Sequence, residues 1–340
     1  MYRLESFNLE LTTKCPLRCP QCYCTLEGGK DLSKETAIRM IREAAGLGAE
    51  HVELSGGETL CYPWLTELVR EARKNGITPN IAISGWHFDR KKAEELTEAG
   101  IGGIFVSINA PTPELNALTR DGFEYAIQAL ELLASIGFQE TYINWVMHRD
   151  TADTLQDMIK LTKPYHPKGI VIMTPKPDAA HTLNSFPTTE QMENVKQLIR
   201  NNTSSVELFV ESCFSPLLAL IGRNSLWGNR NRGISKGCSA GLTSISVNVD
   251  GCFSPCRHLE YFELFSSMKE YWTQSVILNQ LRSLKERESS FPCDQCEFQP
   301  NCRPCLAINA KLRKQISLGN EKCPLYLSYP KVNSCCTIPE

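Results

Sequence analysis

Cys15, Cys19 and Cys22 fall within the run Leu9-Glu-Leu-Thr-Thr-Lys-Cys-Pro-Leu-Arg-Cys-Pro-Gln-Cys-Tyr23. Thiolates so spaced on one short loop match three corners of a cubic four-iron cluster. A further thiolate is missing from the local spacing, which would leave one iron open to a small molecule. Short cysteine spacings also make zinc knuckles, so zinc is the rival reading. Structural zinc, however, is closed by four ligands. The nearest spare thiols, Cys24 and Cys61, lie outside the spacing.

A second motif follows. His51-Val-Glu-Leu-Ser-Gly-Gly-Glu58 reads as a short apolar strand running into two glycines and a carboxylate, where the absence of a Cβ would let a ligand approach the backbone. The triplet followed by Gly56-Gly57-Glu58 resembles the radical S-adenosylmethionine (SAM) superfamily, whose triplet has the form C-x3-C-x2-C. The resemblance implies that the open iron chelates the amino and carboxylate groups of SAM, and that Gly56, Gly57 and Glu58 receive the methionine amino group. It also implies that SAM is cleaved to a 5′-deoxyadenosyl radical that takes hydrogen from a substrate.

These motifs need a scaffold. Strand candidates at Phe7–Leu11, His51–Leu54, Thr78–Ile83, Ile104–Ile108, Tyr142–Met147 and Gly169–Met173 alternate with segments of helical apolar spacing such as Ile38, Ile41 and Ala45. Pro63 and Gly76 bracket the second helix, and Gly100 ends the third. Repeated β–α units predict an α/β fold with a parallel sheet, because parallel neighbours need a crossover. They are too few for a complete barrel of about 250 residues. The resemblance implies a partial (β/α)6 TIM-like barrel, open along one side. Ligands of such sheets gather at the carboxyl ends of the strands, where all of the candidates fall.

After strand four, similar enzymes read Ser-x-Asp-Gly-Pro and carry an arginine about a dozen residues later. Here the run is Ser107-Ile-Asn109-Ala-Pro111 with Arg120 at the matching place. The resemblance gives Ser107 and Arg120 to the SAM carboxylate, which a guanidinium pairs with bidentately; an arginine decorating a surface loop is the alternative. The family usually has an aromatic residue before the third cysteine, where this chain has Gln21, so the adenine contact stays open. Ile83-Ser84-Gly85 replaces the usual Thr-Asn-Gly; Ser84 either reaches a ribose hydroxyl or forms an ordinary turn.

Of 16 cysteines, ten crowd in from Cys238 onward, with Cys213 the only one between Cys61 and Cys238. That shift in composition predicts a domain boundary. In a chain of 340 residues whose N-terminus lacks the apolar core of a signal peptide, so many thiols point to metal in a cytoplasmic protein rather than to disulfides. A net charge of −2 gives no field for nucleic acid, and no stretch is apolar enough to span a membrane.

Cys238 precedes an alternating strand (Ile245, Val247, Val249), Asp250-Gly251 signals a hairpin turn, and Cys252 and Cys256 follow. Then come Cys293, Cys296, Cys302, Cys305 and Cys323. This resembles the SPASM extension of radical SAM maturases, although the step from Cys302 to Cys305 is one residue short of the family's. By that resemblance two auxiliary [4Fe–4S] clusters join the SAM-binding one. Cys293, Cys296, Cys302 and Cys323 hold one; Cys238, Cys256 and Cys305 hold three corners of the other. Its remaining corner is Cys252, Cys213 or an open iron. Two four-cysteine zinc sites are the alternative.

The expected organisation is a barrel over 1–185, a bridging segment over 186–235, a small cysteine-rich SPASM domain with a β-hairpin over 236–327 and a tail over 328–340. The function implied is a peptide or protein maturase that abstracts a hydrogen from a residue of a ribosomally made precursor and leads to a crosslink, thioether, epimerisation or oxidation. Its electrons would come from a donor such as flavodoxin or ferredoxin. Strand one begins within ten residues of Met1, so leader recognition is expected from the later segments or from a separate leader-binding protein. A formylglycine-forming sulfatase maturase is the alternative, with Arg257 where those enzymes place an Asp; a non-catalytic zinc or iron–sulfur scaffold is the alternative of another class. No residue is assigned as the catalytic base.

Overall fold

Alternation of apolar and polar residues along Ser6–Thr12 gives strand β1 one face of Phe7, Leu9 and Leu11, all buried in the computed structural model. The structure describes residues 2–24, 26–176, 185–221, 237–284, 293–296, 299, 302–313, 318–319 and 323. His181, the stretch around Trp227, and the tail from Ser328 with Cys335 and Cys336 lie outside the described residues.

After β1 come α1 (Lys34–Gly46), β2 (His51–Gly56), α2 (Leu65–Lys74), β3 (Thr78–Ile83), α3 (Arg90–Glu98), β4 (Gly103–Ser107), α4 (Pro113–Ala117), α5 (Phe123–Ser135), β5 (Thr141–Val146), α6 (Leu155–Thr162) and β6 (Gly169–Met173). The expected strands thus form, with ends moved by a residue or two. Local chemistry starts the helices: Ser33 caps α1 through Thr36 N at 3.1 Å, and Asp89 caps α3 through Lys92 N at 2.7 Å. The chain continues through α7 (Thr189–Asn201), β7 (Glu207–Val210), α8 (Ser215–Ile221), β8 (Ser244–Val247), β9 (Phe253–Ser254), α9 (Met268–Gln274), α10 (Val276–Ser283) and α11 (Leu306–Arg313).

All these strands make one nine-stranded sheet in the order β7-β6-β5-β4-β3-β2-β1-β8-β9. Every pairing is parallel except β8 with β9, so the fold is a partial barrel, not a closed one. Its six β/α units gain a strand on either side. β7 pairs with β6, and β8, from the cysteine-rich part of the chain, lies parallel to β1 with Leu9 opposite Val247. Sheet pairing therefore runs past residue 185. The hairpin joining β8 to β9 turns where Asp250-Gly251 signals it. Asn248 organises that turn, its Oδ1 accepting from Asp250 N at 3.1 Å and Cys252 N at 2.8 Å.

The outer face of the sheet (Leu9, Leu54, Ile81, Ile104, Ile143, Ile170) packs under the helices in one large core. The inner face is mixed: Asn8, Glu53, Ser55 and Asn144 accompany Phe105, Tyr142 and Val171. A second apolar cluster gathers Leu259, Leu281, Leu306 and Leu318 around Cys238 and Cys305. Among the described residues no helix is long and apolar enough to cross a membrane.

Leu9 is fully buried where β1 meets both β2 and β8. Leu9→Ala is expected to cost about 2–5 kcal/mol, read as a lower midpoint in thermal or urea unfolding; an unchanged midpoint would remove β1 from the core of the fold.

Candidate active site

The loop leaving β1 carries the cysteine triplet and is pinned along its length. Thr12 Oγ1 donates to Asp31 Oδ1 at 2.6 Å, and Lys14 Nζ pairs with Asp31 Oδ2 at 2.6 Å. Arg18 N donates to Asp121 Oδ2 at 2.9 Å while its guanidinium holds Cys15 O at 2.8 Å. Gln21 N donates to Thr119 O at 3.1 Å, and Cys22 N to Cys19 O at 3.0 Å. Cys15, Cys19 and Cys22 are all half-buried and line one cavity of about 1050 Å³. Burial pushes the Cys15 thiol up to about 11. Cys22 is drawn down to about 7, chiefly by a hydrogen bond from the Cys24 thiol. Cys24 also faces Gly56 O at 3.5 Å and Arg257 Nη2 at 3.6 Å.

Gly56 and Gly57 line the cavity and also make a contact within the chain. A Cβ on Gly56 would stand 2.5 Å from Thr12 O, and one on Gly57 2.5 Å from Lys14 O and 3.0 Å from the Cys15 Cβ. A side chain at either position would displace the chain's own backbone, and both glycines line the cavity. Gly57 N donates to Thr12 O at 2.7 Å and Glu58 N to Lys14 O at 2.8 Å. The glycines thus seat the cysteine loop against the end of β2.

Glu58 is buried, which raises its carboxyl above the usual glutamate range. Ser84 opposes that rise by donating both its N–H, at 2.8 Å, and its hydroxyl to Oε2, while Leu60 N reaches Oε1 at 3.2 Å. The Ser84 hydroxyl is therefore committed to Glu58. Ser107 and Arg120 both line the cavity, and Arg120 Nε donates to Ser107 O at 3.0 Å. Asn109, fully buried, holds the intervening loop: it bonds Asn116, Thr119, Val146 N and the Trp145 indole.

Four further thiols converge from distant parts of the sequence. Cys213, in the turn after β7, and Cys256 both pack against the buried cluster that contains Cys238 and Cys305. Burial pushes Cys256 up to about 12. Gly237 brings Cys238 there: with φ +137° and a virtual Cβ 2.1 Å from Arg303 O, it allows the backbone contact Cys238 N to Arg303 O at 3.1 Å. Cys213, Cys238 and Cys256 line the same cavity as the triplet. Cys252 does not join them; its N–H and C=O both serve the hairpin turn at Asn248. Cys302 neighbours Cys293, Cys296 and Cys323 and is pushed up to about 12, first by burial and then by the charges of those thiols.

The donor groups fit iron–sulfur chemistry. They are thiols, the groups whose thiolates a cubane takes on its separate corners. Beside the triplet, Gln21 Oε1 is buried without a hydrogen-bond partner among the described residues and lines the cavity, an acceptor suited to a bound polar ligand.

Other charged and aromatic residues gather at the cavity. Glu53 accepts from Asn80 Nδ2 at 2.9 Å, and burial raises its carboxyl. Arg257 lies 4.6 Å over the Tyr23 ring, and His258 meets the same ring edge-on at 4.3 Å, held neutral by burial. Lys176 is buried against Glu211 Oε1 at 2.5 Å. Glu53 had one signal in the sequence, a charge at an alternate position of an otherwise apolar strand. The others are joined only by folding.

Residues 9–162, a little under half of the chain, match the sequence profile described as the radical SAM superfamily. Such a domain implies an enzyme with a four-iron cluster and SAM. Over most of its length the fold is that of several solved structures. SuiB of Streptococcus suis, bound to S-adenosylmethionine, has a TM-score of 0.74 at 16% identity, covering 95% of this chain and 77% of that one. SuiB bound to the precursor peptide SuiA gives 0.76 at 15%, covering 95% and 76%. The enzyme anSMEcpe, with AdoMet and the Cp18Cys peptide, gives 0.67 at 19%, covering 89% and 90%.

A carboxyl whose folded pKa is raised binds protons more tightly when folded, so stability falls as pH rises from the unfolded value through the raised one. Glu58→Gln should abolish that fall. In urea unfolding across a pH series, the variant's profile is expected to be flatter than the parent's above the ordinary glutamate value of 4.5; parallel profiles would count against a perturbed Glu58.

Proposed function

We propose that this chain is a radical SAM maturase of peptides or proteins. Cys15, Cys19 and Cys22 hold the SAM-binding cluster, and a cysteine-rich SPASM-type domain over 236–327 holds two auxiliary ones, joined to a barrel over 1–185 by a bridge over 186–235. The observation that carries the reading is that one cavity is lined both by the triplet and by the thiols Cys213, Cys238 and Cys256. At about 1050 Å³ it lies at the upper end of ligand pockets, roughly 300–1,000 Å³, room for SAM and a further group.

When bound, the cluster and SAM together supply a 5′-deoxyadenosyl radical able to take hydrogen from a substrate carbon. The protein's own residues supply alignment. Glu58, fixed by Ser84, closes the strand-two edge where the methionine amino group would sit. Arg120, held through Nε by Ser107 O, has its terminal nitrogens left to pair with the methionine carboxylate. Gln21 Oε1 offers an acceptor beside the third cysteine. Phe105, Tyr142 and Val171 give the inner barrel an apolar wall that limits water around a radical.

A peptide substrate is supported by the resemblance of fold to SuiB, solved with its precursor peptide, and to anSMEcpe, solved with a peptide. The product classes are a crosslink, a thioether, an epimerised residue or an oxidised side chain, with electrons from a flavodoxin- or ferredoxin-type donor.

Anaerobically reconstituted protein given SAM and dithionite is expected to release 5′-deoxyadenosine, and Cys19→Ala to reduce that release to background. Arg120→Ala is expected to weaken SAM binding by about 10- to 150-fold, the equivalent of about 1.5–3 kcal/mol for a hydrogen bond to a charged group, read by isothermal titration. Wild-type protein that carries iron and sulfide yet neither binds nor cleaves SAM would overturn the reading.

A further inference from the structure

The inner thiol group has three members placed by the cysteine-rich segment and one that arrives from elsewhere. Cys213 stands in the turn Glu211–Phe214 between β7 and α8, outside that segment. Glu211 fixes this turn: its N–H donates to Ile172 O at 3.0 Å and its carboxylate takes Thr174 N at 2.9 Å. The neighbouring Phe214 is buried in the main core and donates from its N–H to Glu211 O at 3.0 Å. The thiol thus borne packs against the buried cluster that contains Cys238 and Cys305, and lines the cavity with Cys238 and Cys256. Cys252, the other candidate, has its backbone bound into the hairpin turn and is not among the residues packed with Cys238 and Cys305.

Charge agrees with this grouping. Four thiolates around a four-iron core leave net negative charge, which a buried site must balance. Lys176, paired with Glu211, places its charge beside Cys213 and Cys305, and the Arg303 guanidinium acts on Cys238.

Resting on the reading that the C-terminal thiols bind clusters, we propose that Cys213 is the fourth ligand of the inner auxiliary cluster, with Cys238, Cys256 and Cys305. The inner site is then closed, and no iron corner remains for a substrate atom. The substrate is held by the cavity wall, and the inner cluster is limited to exchanging electrons. The same ligand set fastens the turn after β7 to the cysteine-rich segment through iron.

The test uses a full-length background in which Cys15, Cys19 and Cys22 are all Ala, so that only auxiliary clusters load. Anaerobic reconstitution should give about eight irons per chain, two four-iron clusters. Adding Cys213→Ala should halve that iron or convert one cluster to a three-iron form, seen by electron paramagnetic resonance after mild oxidation. Adding Cys252→Ala should leave iron and spectrum unchanged. A wild-type measurement guards against misfolding of the variant. In the reconstituted protein Cys213 should resist iodoacetamide together with Cys238, Cys256 and Cys305, and should become reactive once iron is chelated, as read by mass spectrometry of the peptides. Full iron in the Cys213→Ala protein, or loss on Cys252→Ala, overturns the assignment while leaving the auxiliary clusters in place. A background protein without iron and sulfide overturns the cluster reading itself, and this assignment with it.

Discussion

The backbone contact between the end of β2 and the loop after β1 underlies the rest of the site. Two hydrogen bonds, Gly57 N to Thr12 O and Glu58 N to Lys14 O, join segments that a single Cβ at either glycine would force apart. Through them the cysteine loop is registered against the edge that carries Glu58, so the thiols and the carboxylate share one wall. Asp31 and Asp121 then steady the loop from either side, and Ser84 steadies the carboxylate. Precision comes from short-range hydrogen bonding on rigid strands, as a site that must align reacting atoms requires.

Much of this architecture was legible in the sequence because its signals are local. Alternation at Phe7, Leu9 and Leu11 declared a strand with one buried face, and the caps and glycines around the helices marked their ends. The triplet and Gly56-Gly57-Glu58 lie on loops that the fold brings to one cavity, and the glycines also answer to a backbone contact that spacing does not reveal. Ser84 was placed near the site, yet its partnership with Glu58 depends on the spacing of β2 and β3, which no linear pattern encodes. The sheet was underestimated for the same reason. β7 and β8 are short, and nothing local in Ser244–Val247 says that it lies beside β1.

The segments meet most intimately where no motif exists. Arg257 and His258, next to Cys256, close over Tyr23, next to Cys22, so an aromatic ring and a guanidinium bridge the two cysteine-bearing regions. The guanidinium is buried among Tyr23, Cys24 and Glu10, a setting in which a cation persists only because ring and carboxylate compensate for lost water. Lys176 with Glu211 does the same at the far thiols. Such pairs set the electrostatic environment that any redox centre in the cavity would feel.

The placement of β8 beside β1 has a bearing on how the protein is made. Leu9 is flanked by Leu54 on one side and by Val247 on the other. During synthesis the first partner emerges early, whereas the second leaves the ribosome only after most of the chain. Until then the first strand is an exposed edge, open to mispairing, and the thiol-bearing loop stands on an unfinished border. The cysteine loop therefore reaches its final setting only after the late strand has sealed the sheet.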